Sequence, residues 1–251
     1  MPNLPDGDAA CKAGQPCSEI AVEHKMEHYG HRARLDLKAR EAGLEFLPAH
    51  EQLEKLLFVA VPRGNTNETA HLLLRRFGSI YGVLTAEVQE LMQVPGVGRR
   101  VAEYLHDLPV VLGIVERSAL AAETAGTPTL DTPEKLGAFA VSLFRGAVVE
   151  KFYLISLNAR NRVIRFDKIS EGTIDETAVY TRKVAKTALL NEAYAVVLAH
   201  NHPSGQKQPS YADLERTRAI ARALEASEII LRDHIIVAGS EWISMEQMNM
   251  L

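Results

Sequence analysis

Two imidazoles, a hydroxyl and a carboxylate lie within fourteen residues, in the segments His200-Asn201-His202-Pro203-Ser204-Gly205 and Ser210-Tyr211-Ala212-Asp213. The apolar run AYAVVLA at 193–199 predicts a buried strand that leads to His200. Side chains two apart on a strand share a face, so His200 and His202 can converge on one point. Asp213, in the first turn of the following predicted helix, could supply a third ligand. Two histidines and one carboxylate, with a fourth position left to water, are typical of a catalytic zinc site.

A purely structural interpretation of the same residues has to be set beside this one. Ser210-x-x-Asp213 is also a helix-capping pattern, with serine at the N-cap and an acid three residues later. Either histidine could be an ordinary residue at the end of a strand. Capping and ligation are compatible, however, because Ser210 can cap the helix while Asp213 binds metal. The strand end, the turn at 203–205 and the helix start together favour the metal site.

The string H-x-H-P followed by S-x-x-D resembles the JAMM motif of MPN-type metallohydrolases. The fuller string HNHPSG…PSYAD, with the region before it, resembles the bacterial RadC-type branch, which is similar to DNA-repair proteins. The resemblance implies one Zn²⁺ per chain, held by His200, His202 and Asp213. It also implies that Ser210 helps to stabilise the tetrahedral intermediate.

The resemblance further implies a glutamate on a separate strand as the general acid and base. Zinc lowers the pKa of bound water to about 7, and a base must reach that water and later protonate the leaving amine. Glu150, at the mouth of the predicted strand, is the candidate that matches; without the resemblance it would be an exposed strand-end acid. Glu171, in the predicted turn 170–172, is the second choice.

The resemblance extends from about His28 to Val237 and includes GHRARL at 30–35, LLF…PRGNTN at 56–67 and EGTID at 171–175. Residues 206–208 (QKQ) depart from it, because an acid commonly follows Gly205. We expect this change to alter the rim of the site rather than the metal.

Composition sets the broad class of the protein. The 251 residues are 47% hydrophobic and 24% charged, as in ordinary globular proteins, and the net charge of −4 gives no basic field for nucleic acid or anionic lipid. No apolar run reaches about 18 residues, so we expect no membrane span. The polar start of the chain has no signal-peptide pattern, and it carries the two cysteines, Cys11 and Cys17. A cytoplasmic protein is the simplest interpretation.

Four segments follow from the changes in composition along the chain. Residues 1–25 are rich in Gly, Pro and Ala and predict a disordered leader. Residues 26–115 predict a small all-α domain of short helices, the last of which ends near Leu112. Small residues with Gly, Pro and Thr predict a linker at 116–133. Residues 134–251 alternate strands and helices and predict an α/β (α+β) sandwich, which the resemblance implies to be of the MPN/JAMM, cytidine-deaminase-like type.

The helical domain contains a second motif, Leu91 to Ala102, which resembles a helix-hairpin-helix element. Gly96 and Gly98 would let the backbone approach a phosphate, and Arg99 and Arg100 could add charge-assisted contacts. The alternative is a purely structural hairpin. Residues 24–115 hold eleven Lys plus Arg against eleven Asp plus Glu, so we expect at most a weak nucleic-acid contact.

These patterns predict zinc-assisted hydrolysis of an amide, a peptide or isopeptide bond in a protein substrate. The competing interpretation is a DNA-associated accessory protein in repair or recombination with a non-catalytic metal site. A nuclease that uses the same metal is a third, but a carboxylate-bridged pair of metals would suit it better. His234 is expected to pack at a strand start or to donate a supporting hydrogen bond rather than to bind metal.

Overall fold

The computed structural model describes residues 30–122, 126–172 and 177–251. They divide into two compact units, one ending at Tyr104 and the other beginning at Leu105. The predicted leader 1–25, with Cys11 and Cys17, lies outside the described residues. Among the helices of the described segments, none combines the length and the apolar character that a membrane span requires.

The first unit is built from short helices, as the sequence predicts. They are α1 (His31–Ala42), α2 (Ala49–Ala60), α3 (Thr66–Phe77), α4 (Ile80–Thr85), α5 (Val88–Leu91) and the start of α6 (Arg99–Ala122), with a 3-10 turn at Leu44–Phe46. Helices α2 and α3 bury their apolar faces through Leu53, Leu57 and Leu73, all fully buried. The amphipathic spacing of these residues is what makes the segments helical.

Helix α6 is longer than the sequence predicts. It was expected to end near Leu112 and to be followed by a linker at 116–133, but it runs to Ala122 with Pro109 inside it. The segment SALAA at 118–122, whose small residues suggested a linker, is rich in alanine, which has the highest helix propensity. The predicted linker therefore begins too early.

The second unit contains a five-stranded mixed sheet. Its further elements are α7 (Pro133–Leu143), β1 (Lys151–Leu157), β2 (Val163–Glu171), α8 (Thr177–Leu190), β3 (Ala195–Asn201), α9 (Tyr211–Glu225), β4 (Ile230–Ala238) and β5 (Glu241–Ser244). The strand order is β2-β1-β3-β4-β5; β3 and β4 are parallel, and the other neighbours are antiparallel. This architecture confirms the prediction of a mixed α/β domain after N-terminal helices.

Helices cover both faces of the sheet. On one face, the side chains of α7 form a core with β1, β3 and β4; this packing requires glycine at position 137, because a Cβ there would lie 2.0 Å from the ring of Trp242. On the other face, α8 and α9 pack on Phe152, Leu154 and Leu198. All of β3 is buried, which explains its continuous apolar sequence.

Candidate metal centre

The two histidines of the H-x-H-P string lie at the carboxyl end of β3. His200 is fully buried and stands opposite Phe152 on β1 and Ile236 on β4. His202 follows the strand, and its backbone N–H donates to the Val237 carbonyl at 2.8 Å. Strand β3 and the backbone bond that follows it therefore bring the two histidines to the same place, as the alternation along a strand predicts.

Asp213 reaches the same place from the first turn of α9. Ser210 is the N-cap of this helix, and the two residues form a reciprocal capping box. The Asp213 carboxylate is buried with 3% of the residue exposed, and its Oδ2 accepts from the Ser210 N–H at 2.8 Å and from the Ser210 hydroxyl at 2.6 Å. The cap thus fixes the rotamer of the carboxylate.

The three side chains present ligand atoms to one another. The Nε2 atoms of His200 and His202 are 2.9 Å apart. Asp213 Oδ1 is 3.3 Å from His200 Nε2, and Asp213 Oδ2 is 3.5 Å from His202 Nε2. Ligands about 2.0–2.1 Å from a tetrahedral zinc are separated by about 3.3 Å, so these three groups could hold one metal ion.

Hydrogen-bond partners assign the protons on the imidazole rings. His202 Nδ1 lies 2.6 Å from the Gln206 carbonyl oxygen, which can only accept, so Nδ1 carries the proton and Nε2 has a lone pair. His200 Nδ1 lies 2.8 Å from His234 Nε2, and His234 Nδ1 lies 2.6 Å from Thr217 Oγ1.

The direction of this second chain is fixed at its far end. The Thr217 hydroxyl donates to the Asp213 carbonyl oxygen at 2.6 Å, so it accepts from His234 Nδ1–H. His234 Nε2 then accepts from His200 Nδ1–H, and the lone pair of His200 is on Nε2. When both rings are neutral, the Nε2 atoms of His200 and His202 therefore point their lone pairs at each other across 2.9 Å.

Two facing nitrogen lone pairs beside a carboxylate fit a bound cation, which all three groups attract. Two imidazoles and one carboxylate are also the donor set of catalytic zinc sites. The residues present therefore fit the metal that the resemblance implies.

Electrostatics keep the carboxylate ionised and the supporting histidine neutral. Burial alone raises the pKa of Asp213, but a hydrogen bond and charge attraction from the protonated form of His200, with hydrogen bonds from Ser210, outweigh it and hold the pKa well below its usual range. Burial lowers the pKa of His234 well below that of an ordinary imidazole. As expected from the sequence, His234 supports the site by a hydrogen bond.

Three residues around the centre were given no role by sequence reasoning, namely Thr217, Asn201 and Arg216, whereas Gln206 was assigned to the rim of the site. Arg216 Nη1 lies 3.6 Å from Asp213 Oδ1, and Arg216 Nε is buried without a hydrogen-bond partner among the described residues. The spacing of Asp213, Arg216 and Thr217 along one helix was the only signal, because residues three and four apart share a face.

Glu150 lies just before β1, on the chain segment next to the centre. In the β1–β3 register Phe152 faces His200, so Glu150 lies two residues before the residue that pairs with a candidate ligand. Asn201 holds this segment: its Nδ2 donates to the Val149 carbonyl at 3.0 Å, and its Oδ1 accepts from the Lys151 N–H at 2.7 Å. Glu150 is not one of the three clustered ligand residues.

Glu171, the second choice as base, is engaged elsewhere. It ends β2 rather than lying in a turn, and its carboxylate pairs with Lys168 and with Lys151 Nζ, the latter at 3.0 Å. Hydrogen bonds from these two lysines lower its pKa. Both lysines thus compete for this carboxylate, and Glu171 is not one of the three clustered ligand residues.

The hairpin of the first unit is exposed at the glycines. Gly96 has φ +85°, and a Cβ there would meet Thr69 Oγ1 at 2.5 Å, whereas Gly98 has open space beside it. Arg99 forms an ion pair with Glu103 at 2.8 Å, which neutralises part of the predicted phosphate-binding charge. The helix before the turn, α5, has only four residues.

A mixed sheet covered by helices, with two histidines and an aspartate at a strand–turn–helix junction, defines a JAB/MPN-like domain. Residues 130–250 match the family model described as RadC-like JAB domain. The second unit therefore contains a RadC-like JAB domain, which supports the resemblance to the RadC-type family that the metal-binding motif carries.

Proposed function

We propose that this chain is a zinc-dependent hydrolase that cleaves an amide bond, in a peptide or in an isopeptide linkage between proteins. The observation that carries the proposal is the pair of opposed Nε2 lone pairs of His200 and His202 beside the Asp213 carboxylate. These three residues would hold a zinc ion with a position left for water or substrate. Zinc, when bound, supplies a Lewis acid that activates water and polarises the substrate carbonyl.

Glu150 is the proposed general base and acid. The pairing of Phe152 with His200 supports this role, because it brings the segment that carries Glu150 to the end of β3, and Glu150 is not one of the three clustered ligand residues. Glu150 takes the proton from the attacking water and then delivers it to the leaving amine nitrogen. A positioned acid–base group of this kind contributes about 10²–10⁴-fold to the rate.

Ser210 is the proposed oxyanion donor, and its hydroxyl has two competing partners. In the structure it donates to Asp213 Oδ2 at 2.6 Å. To stabilise the oxyanion it must turn from Asp213, whose Oδ2 keeps the hydrogen bond from the Ser210 N–H. A donor of this type contributes about 2.7–4 kcal/mol when it is aligned.

Metal content tests the proposal directly. We expect the purified protein to carry stoichiometric zinc and to hydrolyse members of a fluorogenic peptide library, and we expect His202→Ala to lose both. His71→Ala, a change at an exposed histidine of the first unit, is the matched control and should retain both. Equal traces of zinc in the wild type and in His202→Ala would refute the zinc site.

The accessory role in DNA repair or recombination is the alternative. It is favoured by the engagement of the Ser210 hydroxyl with Asp213 and by the exposed hairpin at Gly98. Stoichiometric zinc without hydrolysis, together with salt-sensitive DNA binding that is lost on Arg99→Ala and Arg100→Ala substitution, would support this alternative against the hydrolase.

A further inference from the structure

A hydrogen-bonded bridge connects two of the candidate ligands through residues that do not touch the ion. It runs from His200 Nδ1 through the His234 ring to the Thr217 hydroxyl, and ends on the backbone carbonyl of Asp213. We propose that Thr217 and His234 are positioning residues that set the tautomer of His200 and thereby the affinity for metal. This inference rests on the proposed zinc site.

The bridge lies between the elements that carry His200 and Asp213, so it can affect the position of both residues. His234 on β4 stands opposite Leu198, two residues before His200 on the neighbouring parallel strand, so both rings lie on the face covered by α9. Thr217 lies one turn after Asp213 on α9. The bridge therefore fixes the strand that carries one ligand relative to the helix that carries another.

Burial makes each hydrogen bond in the bridge costly to lose. His234 and Thr217 are each 1% exposed and His200 is fully buried, so water has little access to replace a missing partner. Removing the Thr217 hydroxyl leaves His234 Nδ1–H without its acceptor. The His234 proton is then better placed on Nε2, where it donates to His200 Nδ1 and drives the His200 proton onto Nε2, the atom that must bind metal.

A matched pair of variants separates this role from packing. Thr217→Val keeps the branched shape and removes the hydroxyl, whereas Thr217→Ser keeps the hydroxyl and removes a methyl group. We expect Thr217→Val to weaken zinc binding about 10–100-fold in a chelator competition, the usual effect of losing a group that orients a ligand. Thr217→Ser should stay within about threefold of the wild type.

The tautomer of His200 provides a readout without metal. In zinc-free, histidine-labelled protein, at a pH well above the ordinary imidazole pKa of about 6.5, nitrogen NMR should place the proton on Nδ1 in the wild type and in Thr217→Ser. In Thr217→Val it should move toward Nε2. If Thr217→Val fails to fold, the same test compares His234→Gln with His234→Leu. Only the glutamine side chain can still accept and donate hydrogen bonds within the bridge.

The outcomes distinguish this inference from the proposed function. Equal zinc affinity and the same His200 tautomer in Thr217→Val and in the wild type would overturn the bridge and leave the hydrolase standing. A wild type that binds no zinc would overturn the proposed function. In that case the tautomer of His200 alone tests the bridge. A shift of the His200 proton only in Thr217→Val would support the bridge, and no such shift would overturn it.

Discussion

At the scale of single residues, each candidate ligand is oriented by its own hydrogen-bond partner. The backbone carbonyl of Gln206 fixes the His202 ring, the His234 ring fixes that of His200, and Ser210 fixes the Asp213 carboxylate. Each imidazole is thus oriented by a hydrogen bond at the ring nitrogen opposite its candidate ligand atom, and the carboxylate is oriented by its helix cap. Such preorganisation reduces the entropy that metal binding would otherwise cost.

The acid–base role of Glu150 is tested by removing its charge. We expect Glu150→Gln to lower kcat about 10²–10⁴-fold, because the amide cannot accept the proton from water. Zinc content should remain stoichiometric, since Glu150 is not one of the clustered ligand residues. Turnover of a library-derived peptide and metal analysis measure the two effects.

Glu171→Gln is the matched control, because it makes the same chemical change at the glutamate that pairs with Lys151 and Lys168. It should leave turnover within about threefold of the wild type. A large loss of turnover in Glu171→Gln, with none in Glu150→Gln, would exchange the roles that we assign to the two glutamates.

At the scale of elements, the site depends on the junction of β3 with the segment before β1. Asn201 is 4% exposed, and its side chain takes the place of backbone hydrogen bonds at the end of the sheet. It donates to the Val149 carbonyl and accepts from the Lys151 N–H. The residue between the two histidines is therefore used to place Glu150. This is a structural reason for an amide side chain at the middle position of H-x-H.

Asn201→Ala should release this segment. We expect faster hydrogen exchange at the Lys151 amide and lower turnover, with zinc affinity within about threefold of the wild type, because the ligands remain. The loss of two partly buried hydrogen bonds should lower the free energy of unfolding by about 1–3 kcal/mol.

Asn191→Ala is the matched control, since Asn191 also bridges elements through its side chain, to Ser156 and Asp167, away from the candidate centre. It should destabilise the fold while turnover persists. If Asn191→Ala and Asn201→Ala reduced turnover equally, the specific role of Asn201 would be wrong.

The sequence predicts those site residues that lie close together along the chain, and it does not predict the contacts between residues that lie far apart. His200, His202 and Asp213 belong to one strand–turn–helix unit, so local spacing and the resemblance identify them together. His234 is 34 residues from His200, and its contact depends on β3 and β4 being parallel neighbours, which local periodicity does not reveal. Thr217 shares a helix face with Asp213, but its bond to His234 depends on how α9 packs on β4, which local periodicity does not reveal either.

The elements themselves were largely predictable, because their apolar periodicity is strong. Strand β3 lies within a few residues of the predicted run 193–199, and Asp213 lies in the first turn of α9, as predicted. The end of α6 was not predicted, because small residues such as those at 118–122 suit a linker and a helix equally well. Only contacts from outside a segment decide between the two.

At the scale of the whole molecule, all three candidate ligands and Glu150, the proposed general base, belong to the second unit. Zinc should therefore stabilise that unit alone, because a ligand bound only to the folded state adds RT ln(1 + [L]/Kd) to its stability. We expect zinc at 100 times its Kd to add about 2.7 kcal/mol. The fluorescence of Trp242, the one tryptophan of the chain, reports on this unit.

A chelator should remove this stabilisation, lowering the melting temperature seen by Trp242 fluorescence. The His202→Ala variant is the control, because its melting temperature should respond to neither zinc nor chelator. A stabilisation by zinc that persists in His202→Ala would indicate binding at another place.

The most direct test of the central claim is anomalous diffraction at the zinc absorption edge from crystals of the purified protein. The account predicts one strong peak per chain, about 2.0–2.2 Å from His200 Nε2, His202 Nε2 and one carboxylate oxygen of Asp213. A zinc peak elsewhere, or none at these three atoms in crystals grown with zinc, would contradict it.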